Sequence, residues 1–113
     1  MMPMEVILIS LSDGTNPVRD FIKNLQPFEQ KKVYRWLERL EQFGRGLLAS
    51  GDLQKMPGRT DLFELIAGDF RVFGVPIGQQ FYAVHGIRKP GRKAKSKDLV
   101  LAERRIAELK KSI

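Results

Sequence analysis

The chain has 113 residues, a formal net charge of +7 and no cysteine. This length predicts one domain, over residues 1–113, that buries a core without covalent cross-links. The lack of cysteine excludes disulfides, thiolate metal sites and thiol catalysis. The apolar run Val6–Ile9 is too short to span a membrane, and the first basic residue, Arg19, comes too late for a signal peptide. We therefore expect a cytoplasmic protein.

The chain begins with the pattern of a strand and a short helix. Residues 4–11 (MEVILISL) predict a strand, which ends at the turn-forming residues 12–14. Asn16 is suited to cap the helix, and Pro17 is suited to be its first residue because proline lacks the amide hydrogen that a helix start leaves unpaired.

A second helix and a loop follow. Pro27 can start this helix, and apolar residues recur at helical spacing from Val33 to Phe43. Gly44 ends it, because glycine can adopt the conformation that closes a last helical turn. The glycines that follow predict a loop over residues 44–61. We expect the two helices to form an antiparallel hairpin.

The second half of the chain predicts a meander of strands and a last helix. The three strands are Leu62–Ala67, Phe70–Pro76 and Gln80–Ile87. Gly68-Asp69 and Gly78 provide the turns, so consecutive strands run antiparallel. Ser96 is suited to cap a C-terminal helix with apolar residues at helical spacing. The order β-α-α-β-β-β-α predicts an α+β fold with a small antiparallel sheet, the helical hairpin on one face, and a C-terminal helix.

The positive charge is concentrated in one loop before the last helix. Between Arg88 and Lys97 the chain has six basic residues and no acid, which accounts for +6 of the net charge of +7. These basic residues are Arg88, Lys89, Arg92, Lys93, Lys95 and Lys97. Such asymmetry indicates a polyanionic partner. The alternative is a solvated charge run, but an ordered helix follows, so we favour specific phosphate binding.

The residue types restrict the chemistry that the protein could perform. The thirteen acids are scattered singly, and one histidine without cysteine does not make a typical zinc site. Phosphate-binding glycine motifs are also missing. We therefore expect no metal or other cofactor. RNA is a substrate that suits such a protein, because its 2′-OH is a built-in nucleophile that basic side chains can help to align and stabilise.

Candidate active-site residues lie on the predicted strands and at the start of the loop. Arg71 is a charge within a hydrophobic strand, and His85 ends the next strand, followed by Arg88 and Lys89. Strand alternation places His85 with Phe81 and Ala83, on the face opposite Tyr82 and Val84. Glu64 faces the open side of the sheet if its neighbours in the strand pack on the helices.

Each candidate also has a purely structural interpretation. Arg71 could pair with Glu64 or Asp69, and Glu64 could orient a basic residue rather than act as a base. His85 could be a hydrogen-bonded structural residue, which is the more common situation for a lone histidine on a partly apolar face.

Several motifs in order resemble the phage-derived, HigB-like branch of the RelE/ParE toxin superfamily. Residues 13–22 (DGTNPVRDFI) resemble that branch's approach to its first helix. Phe63-Glu64-Leu65 stands where the branch has Trp-Glu-Leu-Arg, and residues 70–73 (FRVF) resemble its Tyr-Arg-Val-Phe-Tyr strand. Residues 84–89 (VHGIRK) resemble its Leu-His-Gly-Phe-x-Lys-Lys motif. The similarity covers nearly the whole chain.

The resemblance implies the toxin of a type II toxin–antitoxin pair. Such proteins cleave mRNA without metal, commonly in the ribosomal A site, and are inhibited by a cognate antitoxin that is often a helix-turn-helix protein. On this basis Arg71 would stabilise the transition-state phosphate, His85 would assist proton transfer, and Arg88 and Lys89 would bind the adjacent backbone. The loop from Arg92 to Lys97, with Lys93 and Lys95, would hold RNA, including ribosomal RNA.

The chain departs from the branch pattern at the predicted site. Ile66 replaces the arginine that follows Glu-Leu, Gly74 replaces an aromatic residue, and Pro90 follows Lys89 where a second lysine is usual. The Gly74-Val75-Pro76 sequence predicts that its strand bends or ends early. A non-catalytic RNA-binding or ribosome-binding module therefore remains an alternative. A further alternative is a ParE-like inhibitor, or a phage protein whose basic loop contacts an acidic partner.

Overall fold

The computed structural model describes residues 3–89 and 95–113, which form a five-stranded sheet with helices on both faces. The helices are Pro17–Lys23 (α1), Pro27–Phe43 (α2), Leu47–Ser50 (α3) and Ser96–Ser112 (α4), with a 3₁₀ turn at Gly44–Gly46. The strands are Glu5–Leu8 (β1), Leu53–Lys55 (β2), Phe63–Ala67 (β3), Phe70–Ile77 (β4) and Gln80–Arg88 (β5). The predicted α+β class is confirmed.

The sheet is mixed rather than purely antiparallel. Its strand order is β1-β5-β4-β3-β2, and β2 to β5 pair antiparallel as a meander. The first strand pairs parallel with the last, with Glu5 opposite Gln80 and Leu8 opposite Ala83. The prediction of an antiparallel sheet was therefore wrong for β1. The two helices between β1 and the meander allow this pairing, because parallel strands need a long crossover connection.

Residues 44–61 contain more structure than the predicted loop. They include the one-turn helix α3 and the three-residue strand β2, which pairs with β3 at the edge of the sheet. Leu53 of β2 is only 1% exposed and belongs to the core. A strand this short has too few residues for a recognisable alternation, so its formation depends on the neighbouring strand.

Two apolar clusters hold the helices on opposite faces of the sheet. The larger cluster joins α1 and α2 to one face through Val18, Ile22, Val33 and Leu40. The other contains Ala102 and Ile106 of α4 together with further residues from the opposite face, namely Leu62, Phe73, Val75 and Val84. The helical hairpin on one face and the C-terminal helix are thus confirmed. Burial of this apolar area is the main source of stability.

Local capping explains two of the helix ends. Asn16 Oδ1 accepts a hydrogen bond of 3.2 Å from the amide of Arg19, and Pro17 is the first residue of α1, as predicted. Gly44, at φ 55°, ends α2 as predicted. Ser96 does not cap α4: it is the first helical residue, and Lys95 occupies the cap position without a side-chain bond.

Strand β4 continues through Gly74 to Ile77, although the sequence predicted an early end or a bend. Its pairing with β5 shifts register between Phe73, opposite His85, and Gly74, opposite Ala83. Val84 of β5 is the extra residue, so the irregularity is a β-bulge. Within residues 3–89 and 95–113, no helix is long and apolar enough to cross a membrane.

Candidate functional site

Three of the four predicted catalytic residues project from one face of the sheet. Glu64, Phe73 and His85 form one row across β3, β4 and β5, and Arg71 lies in the next row toward the β3–β4 turn. Phe73 packs in the cluster of α4, so this row lies on the α4 face. Glu64 therefore faces away from the helical hairpin and from Leu65, but α4 packs on this face, so it is not the open side that the sequence predicted.

The bulge in β5 decides the position of His85. The prediction that His85 shares a face with Phe81 and Ala83 was wrong, because those two residues pack with the helical hairpin while His85 contacts α4. One extra residue reverses the alternation of all side chains beyond it. The bulge thus brings His85 to the face that carries Arg71 and Glu64.

Arg71 is buried, with only 8% of its surface exposed. Its Nη1 donates to the carbonyl oxygens of Gly68, at 2.5 Å, and Phe70, at 2.9 Å. Its Nε lies 3.9 Å from Glu64 Oε1, which is a long contact for an ion pair. The β3–β4 turn therefore holds the guanidinium more tightly than Glu64 does. A buried cation held in this way is preorganised to meet an anion.

Glu64 is a carboxyl group with an altered affinity for protons. Burial raises its pKa above the ordinary value of 4.5, while the positive charges of Arg71 and Lys89 act in the opposite direction. Its side chain is 12% exposed. Raising the pKa of a carboxyl toward neutrality makes it a better match for proton transfer at physiological pH. The influence of Lys89 on this pKa also places its ammonium group within electrostatic range of the site.

His85 is held by two residues of α4 that had no predicted role. Its Nε2 lies 2.9 Å from Asp98 Oδ1, and its Nδ1 lies 3.3 Å from Arg105 Nη1. The imidazole also stacks on Phe73, with ring centroids 6.2 Å apart. Asp98 and Arg105 are seven residues apart and flank the buried Ala102. In the sequence, polar residues beside the apolar stripe of α4 were the only sign that these two could share a partner.

The predicted RNA-binding residues are distributed over different surfaces. Arg88 lies on the opposite face from Arg71, because its Nη2 is 2.9 Å from Glu29 Oε2 of α2 and its guanidinium covers the ring of Phe70. Lys89 follows β5, and its amide donates to the carbonyl of Asp69 at 2.8 Å, which closes the end of the sheet.

Two further predicted residues, Lys95 and Lys97, lie at the start of α4. Lys95 and Lys97 are exposed there. Arg92 and Lys93 lie outside the described residues. Lys32 is a further cation that the sequence did not single out: it lies over the β3–β4 turn, where a Cβ added to Gly68 would be 2.5 Å from Lys32 Cε. Basic side chains thus lie beside the β3–β4 turn and at the start of α4.

Across the two described segments, no group of three or more His, Asp or Glu residues is arranged to hold a metal ion. A buried arginine suits an anionic ligand such as phosphate, and a carboxyl whose pKa is raised by burial is a candidate for proton transfer.

Comparison with known proteins identifies the family. Residues 20–107 match the family described as Phage derived protein Gp49-like (DUF891), a span that includes every residue of the candidate site. A comparison with curated proteins finds no match. The chain therefore belongs to the Gp49-like family of phage-derived proteins, which is related to the RelE- and HigB-type toxins.

Proposed function

We propose that this protein is the toxin of a type II toxin–antitoxin pair, of the HigB type, and that it cleaves mRNA on the ribosome without a metal ion. The grouping of Arg71, Glu64 and Lys89 beside His85 carries the proposal. Membership of the Gp49-like family, related to RelE- and HigB-type toxins, supports it. A cognate antitoxin, of helix-turn-helix type, would hold the toxin inactive.

The reaction needs three contributions from the chain: a group that accepts the proton of the 2′-hydroxyl, a group that gives a proton to the 5′-oxygen, and positive charge beside the phosphorane. The 2′-oxygen attacks the adjacent phosphorus and loses its proton, while the bond from phosphorus to the 5′-oxygen breaks and that oxygen gains a proton. The products are a 2′,3′-cyclic phosphate and a free 5′-hydroxyl. Arg71 and Lys89 would stabilise the charge that develops on the phosphorane oxygens. Glu64, whose pKa is raised by burial, would exchange the protons.

The basic residues outside this group would hold the RNA strand. Lys95 and Lys97 would contact phosphates on the α4 side, and Arg92 and Lys93 would bind further phosphates of the strand. Arg88 would contact the backbone from the helical-hairpin side, provided that RNA displaces its exposed ion pair with Glu29. The Arg88 side chain is 55% exposed, so the loss of that pair would cost little.

Induced expression in a bacterial host tests the toxin function directly. We expect growth arrest with the wild-type chain and normal growth with the Arg71→Ala/Lys89→Ala variant. Primer extension on translated mRNA should detect cleavage sites only with the wild type. Lys111→Ala removes an exposed charge far along α4 and should remain toxic. Growth at the normal rate with wild type, in a host without antitoxin, would refute the toxin function.

A non-catalytic RNA-binding module is the second candidate. Both ring nitrogens of His85 have partners, and the apolar Ile66 lies directly opposite Arg71. This candidate predicts RNA binding without any cleavage site. Its affinity should fall with rising salt, with a logarithmic slope of about −0.7 per phosphate contacted. Salt-independent binding would instead indicate apolar rather than phosphate contacts.

A further inference from the structure

We infer that Asp98 and Arg105 are positioning residues: together they hold His85 as the neutral tautomer protonated at Nε2 and tie the first turn of α4 to β5. The functional part of this inference rests on the proposed nuclease function. The tautomer of His85 and the connection between α4 and β5 do not depend on RNA.

The tautomer follows from counting hydrogens around the imidazole. Arg105 Nη1 carries two hydrogens and lies 2.9 Å from Val84 O and 3.3 Å from His85 Nδ1. A guanidinium nitrogen can only donate, so Nδ1 must be the acceptor and cannot carry a hydrogen. The ring hydrogen is therefore on Nε2, where Asp98 Oδ1 accepts it at 2.9 Å.

Burial strengthens this arrangement. The side chains of His85 and Asp98 are 15% and 17% exposed, and burial lowers the pKa of the Arg105 guanidinium. Hydrogen bonds to charged partners are stronger than neutral ones, and more so where water is scarce. Phe73 stacks on the imidazole with an interplanar angle of 21° and restricts its rotation.

The consequence for the site concerns geometry. The hydrogen bond between His85 and Asp98 joins β5 to the first turn of α4. In the chain, β5 precedes residues 90–94 and α4 follows them. It therefore positions Lys89 relative to Lys95 and Lys97. In this state neither nitrogen of His85 is free to move a proton to or from RNA. His85 then acts by holding the basic residues in place, and the proton transfers fall to other groups.

The chain contains one histidine, so its imidazole can be observed without overlap. Long-range ¹⁵N–¹H spectra of the full chain labelled with ¹⁵N-histidine distinguish the nitrogens, because Nε2 couples to both ring carbon-bound protons and Nδ1 mainly to one. We expect a protonated Nε2 with a slowly exchanging proton, and an unprotonated Nδ1. A protonated Nδ1, alone or together with Nε2 at neutral pH, would overturn the tautomer assignment.

Substitutions separate the two partners. In Asp98→Ala the Nε2 proton should exchange too fast to be detected, whereas Asp98→Asn, which keeps an accepting oxygen, should retain the signal. In Arg105→Met, Nδ1 is expected to shift toward the protonated form, since the opposing donor is gone. Glu108→Ala, an exposed acid on the same helix, is the control and should leave both nitrogens unchanged. An Asp98→Ala spectrum identical to wild type would overturn the role of Asp98.

RNA cleavage by the same variants tests the positioning role. A misplacement of catalytic groups by about 1 Å costs on the order of 100-fold in rate, so we expect Asp98→Ala to cleave 10- to 100-fold more slowly, roughly, and Asp98→Asn to recover most of that loss. Asp98→Ala cleaving at the wild-type rate would refute positioning. A wild-type chain that does not cleave RNA would refute the proposed function, and the nitrogen spectra would then decide the inference alone.

Discussion

Removing the Arg71 guanidinium should destabilise the protein as well as inactivate it, and the two effects can be separated. Arg71→Ala leaves the carbonyls of Gly68 and Phe70 without their donor. It also leaves Glu64 without the nearest positive charge. Hydrogen bonds from a charged donor contribute about 1.5 kcal/mol or more each, so we expect the free energy of unfolding to fall by roughly 3 kcal/mol.

Adding Glu64→Gln to Arg71→Ala should reduce the loss in the free energy of unfolding. The contact between Arg71 Nε and Glu64 Oε1 is 3.9 Å long, so Glu64 contributes the smaller part of the interaction. In the double variant no carboxyl is left without a partner, and the free energy of unfolding should recover by about 1 kcal/mol relative to Arg71→Ala. Because the guanidinium is absent from both variants, neither should cleave RNA. Inactivity of a stable double variant therefore reports the loss of these two catalytic groups rather than unfolding.

Urea denaturation followed by tryptophan fluorescence measures these differences, since the single tryptophan, Trp36, packs against the core cluster. An Arg71→Ala free energy of unfolding within about 0.5 kcal/mol of wild type would refute this role of Arg71, because a surface substitution produces a change of that size. A double variant no more stable than Arg71→Ala would contradict the cost of leaving the Glu64 carboxyl without its partner.

Two further predictions concern packing and pH. Gly74→Ala should lower the free energy of unfolding by about 3 kcal/mol and the melting temperature by roughly 10 °C, because its Cβ would overlap the carbonyl oxygen of Tyr82. Gly86→Ala, whose nearest contact would be the ring of Phe21 rather than backbone, should cost less, and an equal loss in thermal melts would contradict this reasoning. Burial raises the pKa of Glu64, so the folded protein favours the protonated carboxyl. The stability that this side chain contributes is complete below about pH 4.5 and is lost as the pH rises through the higher folded-state pKa. Glu64→Gln should therefore gain stability relative to wild type as the pH rises from 4.5 to 7, and urea midpoints with no such trend would contradict the effect of burial.

Much of the fold could be predicted because its signals are local. Asn16, Pro17 and Gly44 act on the backbone within one helical turn, so their positions in the chain predict where helices begin and end. The two-residue turns at Gly68 and Gly78 likewise predict the antiparallel meander. The candidate residues Arg71 and Glu64 were recognisable as charges within otherwise apolar strands, and the structure brings them together.

Other features depend on contacts between distant parts of the chain. The parallel pairing of β1 with β5 joins Glu5 to Gln80, which no local pattern encodes. The position of His85 depends on one bulged residue, Val84, and a bulge is a compromise between the packing of two faces rather than a property of its own sequence. The partners of His85 come from α4, a separate element whose docking the strand pattern does not specify.

The sequence by itself determined the elements other than α3 and β2, the apolar stripes of the helices, and the concentration of positive charge between β5 and α4, because these follow from residue type and spacing along one segment. Only the tertiary structure decided which charges share a surface. It placed Arg71 and Glu64 with His85 and turned Arg88 to the other face, where it pairs with Glu29. The physical reason is that side chains two residues apart on a regular strand share a face. A single extra residue in a bulge moves every following side chain to the opposite face.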